Sequence, residues 1–183
     1  MGPYFVDVFN MLLLSLPGTP TTYYGEEIGM AADKPDPELR TPMQWNADVA
    51  TAGFTTAEPW KAPKPDTATV NVAAQTGEAD SMLSGYRELI RLRQEIPALR
   101  TGSLELLDPQ HPGVLAFVRE LEGSRYLCVF NVTKYPIEGR YAVVPRVGTP
   151  TRELLHNASL TRRAEGPVIE LEARSAYVVE LAD

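Results

Sequence analysis

The stretch GTPTTYYGEE at residues 18–27 places two adjacent carboxylates, Glu26 and Glu27, directly after a pair of tyrosines. Acidic side chains beside aromatic rings are typical of the rim of a site that handles sugars. Retaining hydrolysis of a glycoside needs two carboxyl groups about 5 Å apart across one sugar. Neighbouring side chains on an extended segment point to opposite faces, so Glu26 and Glu27 are not expected to form that pair.

The composition indicates an acidic protein of ordinary globular character. The 183 residues carry a net charge of −7, with 44% hydrophobic and 22% charged residues, which is enough apolar material for a core. No stripe of Lys and Arg is present, so nucleic acid is not expected as a partner, whereas neutral substrates fit this charge. Cys128, the one cysteine, lies in the apolar run YLCVFNV. We expect a buried, unreactive thiol in a cytoplasmic protein.

The sequence predicts neither a metal site nor a cofactor. His111 and His156 stand apart from each other and from acidic or cysteine residues at ligand spacing, so both are expected to be structural. The segment PGTP at 17–20 lacks the glycine–lysine pair of a phosphate-binding loop.

The first 25 residues predict a helix followed by a strand. Residues 3–15 have a broad apolar helical face formed by Phe5, Val6, Phe9, Leu12 and Leu13. Pro17 and Gly18 end this helix. Residues 19–25 are rich in β-branched and aromatic side chains and predict a strand with one tyrosine on each face. The helix is too short and too interrupted to span a membrane, so no membrane is expected; we expect a buried helix that has lost the segment before it.

A long loop and a strong helix follow. Residues 31–67 are rich in proline and glycine, and the aromatic residues Trp45, Phe54 and Trp60 can fold such a loop over a pocket. Residues 79–96 predict a helix that is capped by Asp80 or Ser81 and ended by Pro97. Its predicted apolar stripe consists of Leu83, Tyr86, Leu89, Ile90 and Ile96.

From residue 103 onward the apolar period changes from helical to alternating. Seven short strands separated by turn residues predict an antiparallel β-sandwich. The predicted strands are SLELL, VLAFVREL, RYLCVFNV, EGRYAVV, RELLH, PVIEL and SAYVVEL. The sequence therefore predicts two domains, at residues 1–102 and 103–183.

Several motifs occur in the same order in one known family. GTPTTYYGEEIGM, RTPMQWN, Gly53-Phe54, VNV at 70–72 and SMLSGYRELIRLRQEIPALRTG resemble the C-terminal third of the α-amylase-like glycoside hydrolases of family 13. The resemblance is to the α-glucosidase and oligo-1,6-glucosidase branch. It implies an α+β composite: residues 1–102 as the end of a (β/α)8 barrel, with its last strand at 19–25 and two helices, and residues 103–183 as an antiparallel β-sandwich.

The resemblance implies a parent enzyme that hydrolyses α-1,4 or α-1,6 glucosidic bonds of short oligosaccharides by a retaining mechanism. In that family the nucleophile, the acid/base residue and a second aspartate come from earlier barrel strands, and these 183 residues contain no match to those motifs. No residue is therefore assigned a catalytic role. We expect a C-terminal fragment that is inactive alone and that binds α-glucosides only when the missing barrel is supplied.

Arg40, which opens the motif RTPMQW, is the candidate substrate-binding residue. The resemblance implies that this arginine helps to hold the non-reducing glucose, and a guanidinium offers a planar fork of donors for that role. The alternative is a salt bridge that anchors the loop. Other residues match the family near its site, and the glycines, the proline and the glutamate among them are expected to be structural. Gln44 and Trp45 could line the pocket together with Met43, with a buried loop anchor as the alternative for Trp45. The matching residues are Gly18, Pro20, Gly25, Glu27, Gln44 and Trp45.

Three alternatives share parts of this pattern. A trehalose synthase or sucrose isomerase has the same architecture, although TYYGEE favours a glucosidase. A non-catalytic glucosidase-like transporter subunit needs a membrane anchor, and a separate carbohydrate-binding module needs exposed aromatic residues on the sandwich. The expected macromolecular partners are a complementing N-terminal part or a second copy of the chain, which pairs through the predicted strand at 19–25.

Overall fold

The computed structural model describes residues 8–32, 34–109, 111–137, 148–156, 159–163 and 166–182. They form two compact units, one of residues 21–88 and one of residues 8–20 and 89–182. The division falls inside a helix, and the domain boundary expected near residue 102 stays a prediction. The helices are α1 (Val8–Ser15), α2 (Asp36–Leu39), α3 (Val72–Gln75), α4 (Met82–Glu95) and α5 (Pro97–Thr101), with 3₁₀ turns at Glu26–Ile28 and Pro65–Ala68.

Helix α1 buries a different face from the one that its sequence predicts. Val8, Met11 and Leu14 are buried, whereas the side chain of Phe9 is 56% exposed; Phe5 and Val6 lie outside the described residues. The segment VFNMLLLS is apolar on nearly every side, so periodicity alone does not select a face. The buried face is the one that packs in the second unit. No helix among the described residues is long and apolar enough to cross a membrane.

The predicted strand at residues 19–25 is wrong. The chain forms no ladder there and turns at Tyr24 and Gly25. A strand exists only where a neighbouring strand accepts its hydrogen bonds, and β-propensity in the sequence does not supply that neighbour. The expectation that Tyr23 and Tyr24 lie on opposite faces is also wrong. Their ring centroids are 4.8 Å apart and both side chains are exposed.

Helix α4 forms as predicted, with one change in its buried face. The hydroxyl of Ser81 accepts a hydrogen bond from the backbone N–H of Ser84 at 3.2 Å, which is the expected N-cap. Most of the predicted stripe is buried, but Ile90 is 39% exposed and Leu92 and Arg93 are buried in addition. The residue after α4, Ile96, occupies the N-cap position of the short helix α5, which begins at the predicted stop Pro97.

The second unit is built on antiparallel strands. They are β1 (Ser103–Leu107), β2 (Val114–Leu121), β3 (Ser124–Asn131), β4 (Thr149–His156), β5 (Ser159–Arg163), β6 (Gly166–Glu170) and β7 (Ala176–Ala182). The order β1-β2-β3-β7-β4 forms one sheet, and β5 and β6 form a separate hairpin. Six predicted strands are confirmed. The predicted strand EGRYAVV lies outside the described residues, and the polar strand β5 was not predicted.

Apolar side chains from β2, β3 and β7 form the core of this sheet. Phe117 and Phe130 stack beside them with ring centroids 5.7 Å apart. Cys128 is fully buried, and this burial raises the pKa of its thiol to about 12. The prediction of a buried thiol is confirmed. The ring Nδ1 of His111 accepts a hydrogen bond from the N–H of Gly113, within a turn.

Arg119 of β2 is a fully buried guanidinium that binds backbone carbonyl groups. It donates to the oxygens of Ser15 at 2.6 Å, Leu99 at 2.9 Å, Gly102 at 2.9 Å and Ser103 at 3.0 Å. The carbonyls at the C-terminal end of a helix lack intrahelical partners and carry partial negative charge. Arg119 therefore joins the ends of α1 and α5 to β1. Burial lowers its pKa.

Arg93 of α4 binds the same region in the same way. Its guanidinium donates to the carbonyl oxygens of Leu14 at 2.7 Å, Leu16 at 2.9 Å, Gly18 at 2.6 Å and Leu99 at 2.9 Å. Burial and the nearby Arg100 lower the pKa of Arg93. Leu99 accepts from both buried arginines, so its carbonyl is the shared point of the two networks.

Candidate functional site

A cavity of about 460 Å³ lies in the first unit and gathers residues from two separate segments. One segment is the turn at residues 24–27, and the other is the loop that begins at residue 40. This volume falls within the range of small-molecule sites, roughly 300–1,000 Å³. The lining consists of Tyr24, Glu27, Arg40, Thr41, Pro42, Met43, Trp45, Phe54 and Trp60.

The two glutamates at the edge of this pocket cap their own turn. Residues Glu26–Ile28 form a 3₁₀ turn rather than the extended run that the sequence suggested. The carboxylate of Glu27 accepts from the N–H of Gly25 at 2.8 Å, and that of Glu26 accepts from the N–H of Tyr23 at 3.1 Å. Both carboxylates therefore satisfy backbone donors, and only Glu27 lines the pocket. Glu26 and Glu27 are therefore not placed as two carboxylates on opposite sides of a bound sugar.

Gly25 is required at the start of this turn. Its φ of 88° lies in the left-handed region, and a Cβ atom placed there meets the Sδ of Met30 at 2.7 Å. Gly25→Ala should therefore lower the free energy of unfolding of the first unit by about 2 kcal/mol, from backbone strain plus the collision. Urea unfolding followed by tryptophan fluorescence measures it, since Trp45 and Trp60 both lie in this unit.

Gly77→Ala is the matched control for that substitution. Gly77 has a φ of 89° but nothing within 4 Å of its added Cβ, so it carries the backbone strain without the collision. We expect the loss at Gly25 to exceed the loss at Gly77. Equal losses would show that contact with Met30 contributes nothing.

Arg40 lines the pocket while it is held by an acidic neighbour on its own helix. Its Nε donates to Oδ2 of Asp36 at 2.9 Å, and its second nitrogen donates to Oδ1 at 3.2 Å. The pair is exposed, and its hydrogen bond raises the pKa of Arg40. A salt bridge of Arg40 is thus present, and it lies within α2 and its cap residue. A substrate-binding role for Arg40 stays a prediction.

Aromatic side chains form much of the pocket wall and remain open to solvent. Trp45 is 50% exposed, Phe54 is 51% exposed and Trp60 is 63% exposed. The expectation that Trp45 is a buried anchor is therefore wrong, and the pocket-lining alternative describes it. The structure also places all three aromatics of the long loop together, as their positions in the sequence suggested.

Tyr24 connects the two segments of the pocket. Its hydroxyl donates to the carbonyl oxygen of Thr41 at 3.0 Å. Burial raises the pKa of Tyr24, and the neighbouring Tyr23 raises it further, whereas the charge of Arg40 lowers it. At neutral pH the phenol is therefore protonated and remains a donor to the loop.

Gln44 is buried next to the pocket-lining residues Met43 and Trp45 in the chain and binds a distant segment. It is fully buried, and its side-chain amide donates to the carbonyl of Val70 and to Asp66 at 3.4 Å. The backbone carbonyl of Gln44 accepts from the N–H of Val72 at 3.0 Å, and the backbone carbonyl of Trp45 accepts from the N–H of Ala73 at 3.0 Å. These bonds tie RTPMQW to the VNV segment.

The remaining predicted site residues lie elsewhere. Gly18 and Pro20 belong to the second unit, where the carbonyl of Gly18 accepts from Arg93 at 2.6 Å. Sequence reasoning missed Asp36, although its i, i+4 spacing to Arg40 on a helix was a readable signal. Among the described residues, no group of three or more His, Cys, Asp or Glu is placed to hold a metal ion.

The chain matches two known families in succession. Residues 4–102 match the family described as Alpha amylase, catalytic domain. Residues 104–178 match the family described as Maltogenic Amylase, C-terminal domain. The pocket lies wholly within the first match.

The similar proteins include enzymes with different activities. The chain is 38% identical over 146 residues to the trehalose synthase/amylase TreS of Mycobacterium tuberculosis strain H37Rv, which is 72% of this chain and 24% of that protein. It is 40% identical over 95 residues to the probable oligo-1,6-glucosidase 2 of Bacillus subtilis, which is 52% of this chain and 17% of that protein.

A solved structure shares the fold over nearly the whole chain. The trehalulose synthase MutB of Pseudomonas mesoacidophila MX-45 superimposes with a TM-score of 0.81 at 27% identity, over 96% of this chain and 38% of that one. The chain spans about a quarter of the length of the M. tuberculosis TreS that it matches.

Proposed function

The chain belongs to the alpha-amylase family of glycoside hydrolases, and from that premise we propose that it forms a substrate-binding part of an enzyme that rearranges α-glucosyl disaccharides, as a trehalose synthase does. The family and the α+β composite expected from the sequence are both confirmed. The specific activity and substrate are the proposal.

Rearrangement is better supported than the hydrolysis that TYYGEE suggested. The similarity to the trehalose synthase TreS has 38% identity and covers 72% of the chain. The similarities to two oligo-1,6-glucosidases have 40% identity over 52% of the chain and 32% identity over 69% of it. The structural neighbours include a trehalulose synthase and an isomaltulose synthase. We therefore favour the alternative of a disaccharide-rearranging enzyme over the α-glucosidase.

The pocket carries the proposal because it combines a cationic fork with an aromatic wall. The guanidinium of Arg40 can donate to sugar hydroxyl groups, and Trp45, Phe54 and Trp60 offer ring faces to the apolar face of a glucosyl unit. An enzyme that rejoins two sugars must retain the released one and exclude water. The aromatic rings of this pocket are open to solvent without a ligand, and a sugar that covers them would displace water from a mostly apolar wall.

The sequence predicted that α-glucosides bind only when the missing barrel is supplied. Because the pocket is lined wholly by residues of this chain, we propose instead that the chain by itself binds a glycoside without turning it over. The carboxylate of Glu27 is engaged by its own turn, and we assign no residue to catalysis. Supply of the catalytic carboxylates by a complementing N-terminal part remains a prediction, as do self-association and a cytoplasmic location. Residues 19–25 form no strand, so the predicted pairing of two copies through a strand at this position is not supported.

A sugar site on the sheet of the second unit finds little support. Phe117, Tyr126, Phe130 and Tyr177 are buried, so their rings are not open to a ligand. Tyr135 is exposed, with the Nζ of Lys134 5.4 Å from its ring centre, while Tyr141 lies outside the described residues. The aromatic surface that suits a sugar is in the first unit.

A chimeric enzyme tests the proposed activity. The matching segment of TreS from M. tuberculosis is replaced by this chain, maltose is supplied, and trehalose and free glucose are measured by chromatography. We expect more trehalose than glucose. A folded chimera that releases only glucose would contradict the proposal. The same exchange with the B. subtilis glucosidase segment is the control.

Sugar binding by the isolated chain provides a second test. The protein has two tryptophans, and both line the pocket, so intrinsic fluorescence reports on this site alone. Titration with maltose or trehalose should change the emission, and cellobiose, whose linkage is β, should change it less. An unchanged spectrum at high sugar concentration would oppose the binding role even if the chimera fails to fold.

A further inference from the structure

We propose that Glu38 is a positioning residue of the pocket: its carboxylate, bound by Lys61 and Lys64, holds the segment that carries Arg40 against the segment that carries Trp60. The effect on ligand rests on the proposed function, whereas the effect on Trp60 does not. The ion pairs of Glu38 with its two lysines are called here the clasp.

The clasp joins parts of the loop that are more than twenty residues apart. Oε1 of Glu38 accepts a hydrogen bond from Lys61, and Oε2 lies 3.6 Å from the Nζ of Lys64. Glu38 stands two residues before Arg40, and Lys61 follows Trp60 directly. Each clasp residue is therefore a near neighbour in the chain of a pocket-lining side chain.

Helix α2 has no buried side chain to hold it in place. It contains four residues, and a helix this short is not stable by itself. The pair between Asp36 and Arg40 lies within α2 and its cap residue, so it does not attach the helix to another segment. The clasp is an ion-paired contact that attaches α2 to another part of the loop.

The environment of the clasp strengthens it beyond a single surface pair. The side chains of Glu38, Lys61 and Lys64 are 37%, 34% and 19% exposed, and one carboxylate serves two cations. Isolated surface pairs contribute little, but networks contribute more. The hydrogen bond from Lys61 lowers the pKa of Glu38, so the carboxylate stays charged at neutral pH. Asp36 engages Arg40 separately and does not compete for the lysines.

Loss of the clasp should loosen both pocket segments without unfolding the unit. Sugar contact needs Arg40 and Trp60 in place at the same time, and a ligand that must first order them binds more weakly. The apolar core of this unit, formed by Ile28, Met43 and Leu83, contains no clasp residue. Global stability should therefore change little.

The test uses Trp60 as its own reporter. In a Trp45→Phe background Trp60 is the single tryptophan, and Glu38→Gln removes the charge of the clasp. We expect lower fluorescence anisotropy of Trp60, greater quenching by acrylamide, and a roughly three- to tenfold loss of affinity for maltose, with an unchanged urea midpoint. Glu95→Gln, which breaks the exposed Arg91–Glu95 pair of α4, should change none of these.

A double variant provides the coupling measurement. The double variant Glu38→Gln/Lys61→Met should bind maltose as tightly as Glu38→Gln alone. Both substitutions remove the same contact, so the second adds no further loss of affinity. Unchanged Trp60 anisotropy in Glu38→Gln would overturn the clasp, and lower anisotropy with unchanged maltose affinity would overturn the positioning role. Failure of the parent chain to bind maltose would instead count against the proposed function, while the anisotropy result still decides the clasp.

Discussion

Replacing Arg119 with methionine should lower the free energy of unfolding of the second unit by about 3–5 kcal/mol. The four carbonyl groups that Arg119 binds lose that donor, and a buried acceptor left unsatisfied costs about 1–3 kcal/mol. Leu99 keeps its bond from Arg93 at 2.9 Å, so the losses fall on Ser15, Gly102 and Ser103. The ends of α1 and α5 should separate from β1 first.

Cys128 provides a readout that is specific to this unit. It is the one cysteine, and its buried thiol, with a pKa of about 12, reacts with a disulfide reagent only when the sheet opens. Thiol labelling across a urea series therefore measures the stability of the second unit. Tryptophan fluorescence follows the first unit in the same samples.

Arg125→Met is the matched control for Arg119→Met. Arg125 lies on the adjacent strand β3 and has an ion pair with Glu120 at 3.5 Å. Unlike Arg119, it does not donate to several backbone carbonyl groups in this contact. We expect a small change there. Arg119→Lys keeps the charge but loses the fork, so its loss should be intermediate. Equal and small losses in all three variants would show that the buried guanidinium adds no stability.

Replacing Arg40 with glutamine should weaken maltose binding by about 10- to 100-fold. Hydrogen bonds from a charged group contribute about 1.5–3 kcal/mol, and each 1.4 kcal/mol is a factor of ten. The Arg40–Asp36 pair is exposed, so the urea midpoint of the first unit should remain close to that of the parent. Titration followed by tryptophan fluorescence measures the affinity.

Asp36→Asn separates ligand binding from loop anchoring. It breaks the same ion pair but leaves the Arg40 guanidinium free at the pocket. If Arg40 binds sugar, Asp36→Asn should retain or improve affinity while Arg40→Gln loses it. If the pair only anchors the loop, both variants should lose affinity equally. Arg91→Gln, in another exposed i, i+4 pair, is the control for a lost surface arginine.

Features that depend on residues close together in the chain were predictable from the sequence. The alternating strands β1, β2, β3 and β7 and the helix α4 with its Ser81 cap follow from local periodicity and cap chemistry. The ordered motifs around Arg40 indicated the family, which the comparisons confirm. The three aromatics of the long loop were also candidates for a pocket wall before the structure placed them there.

Features that depend on distant partners were decided only by the tertiary structure. The segment at 19–25 has the composition of a strand but no neighbouring strand to bond with, and the apolar helix α1 has a buried face only because it packs in the second unit. Arg93 and Arg119 look like surface residues in the sequence, yet they are buried. Folding brings the carbonyl-rich ends of α1 and α5 to them, and the clasp of Glu38 likewise requires lysines more than twenty residues away. Local pattern specifies the helices and strands whose partners are supplied by the fold. Whether a strand finds a neighbour, and which hydrogen-bond and ion-pair partners form, is set by the chain ends and loops that the fold brings together.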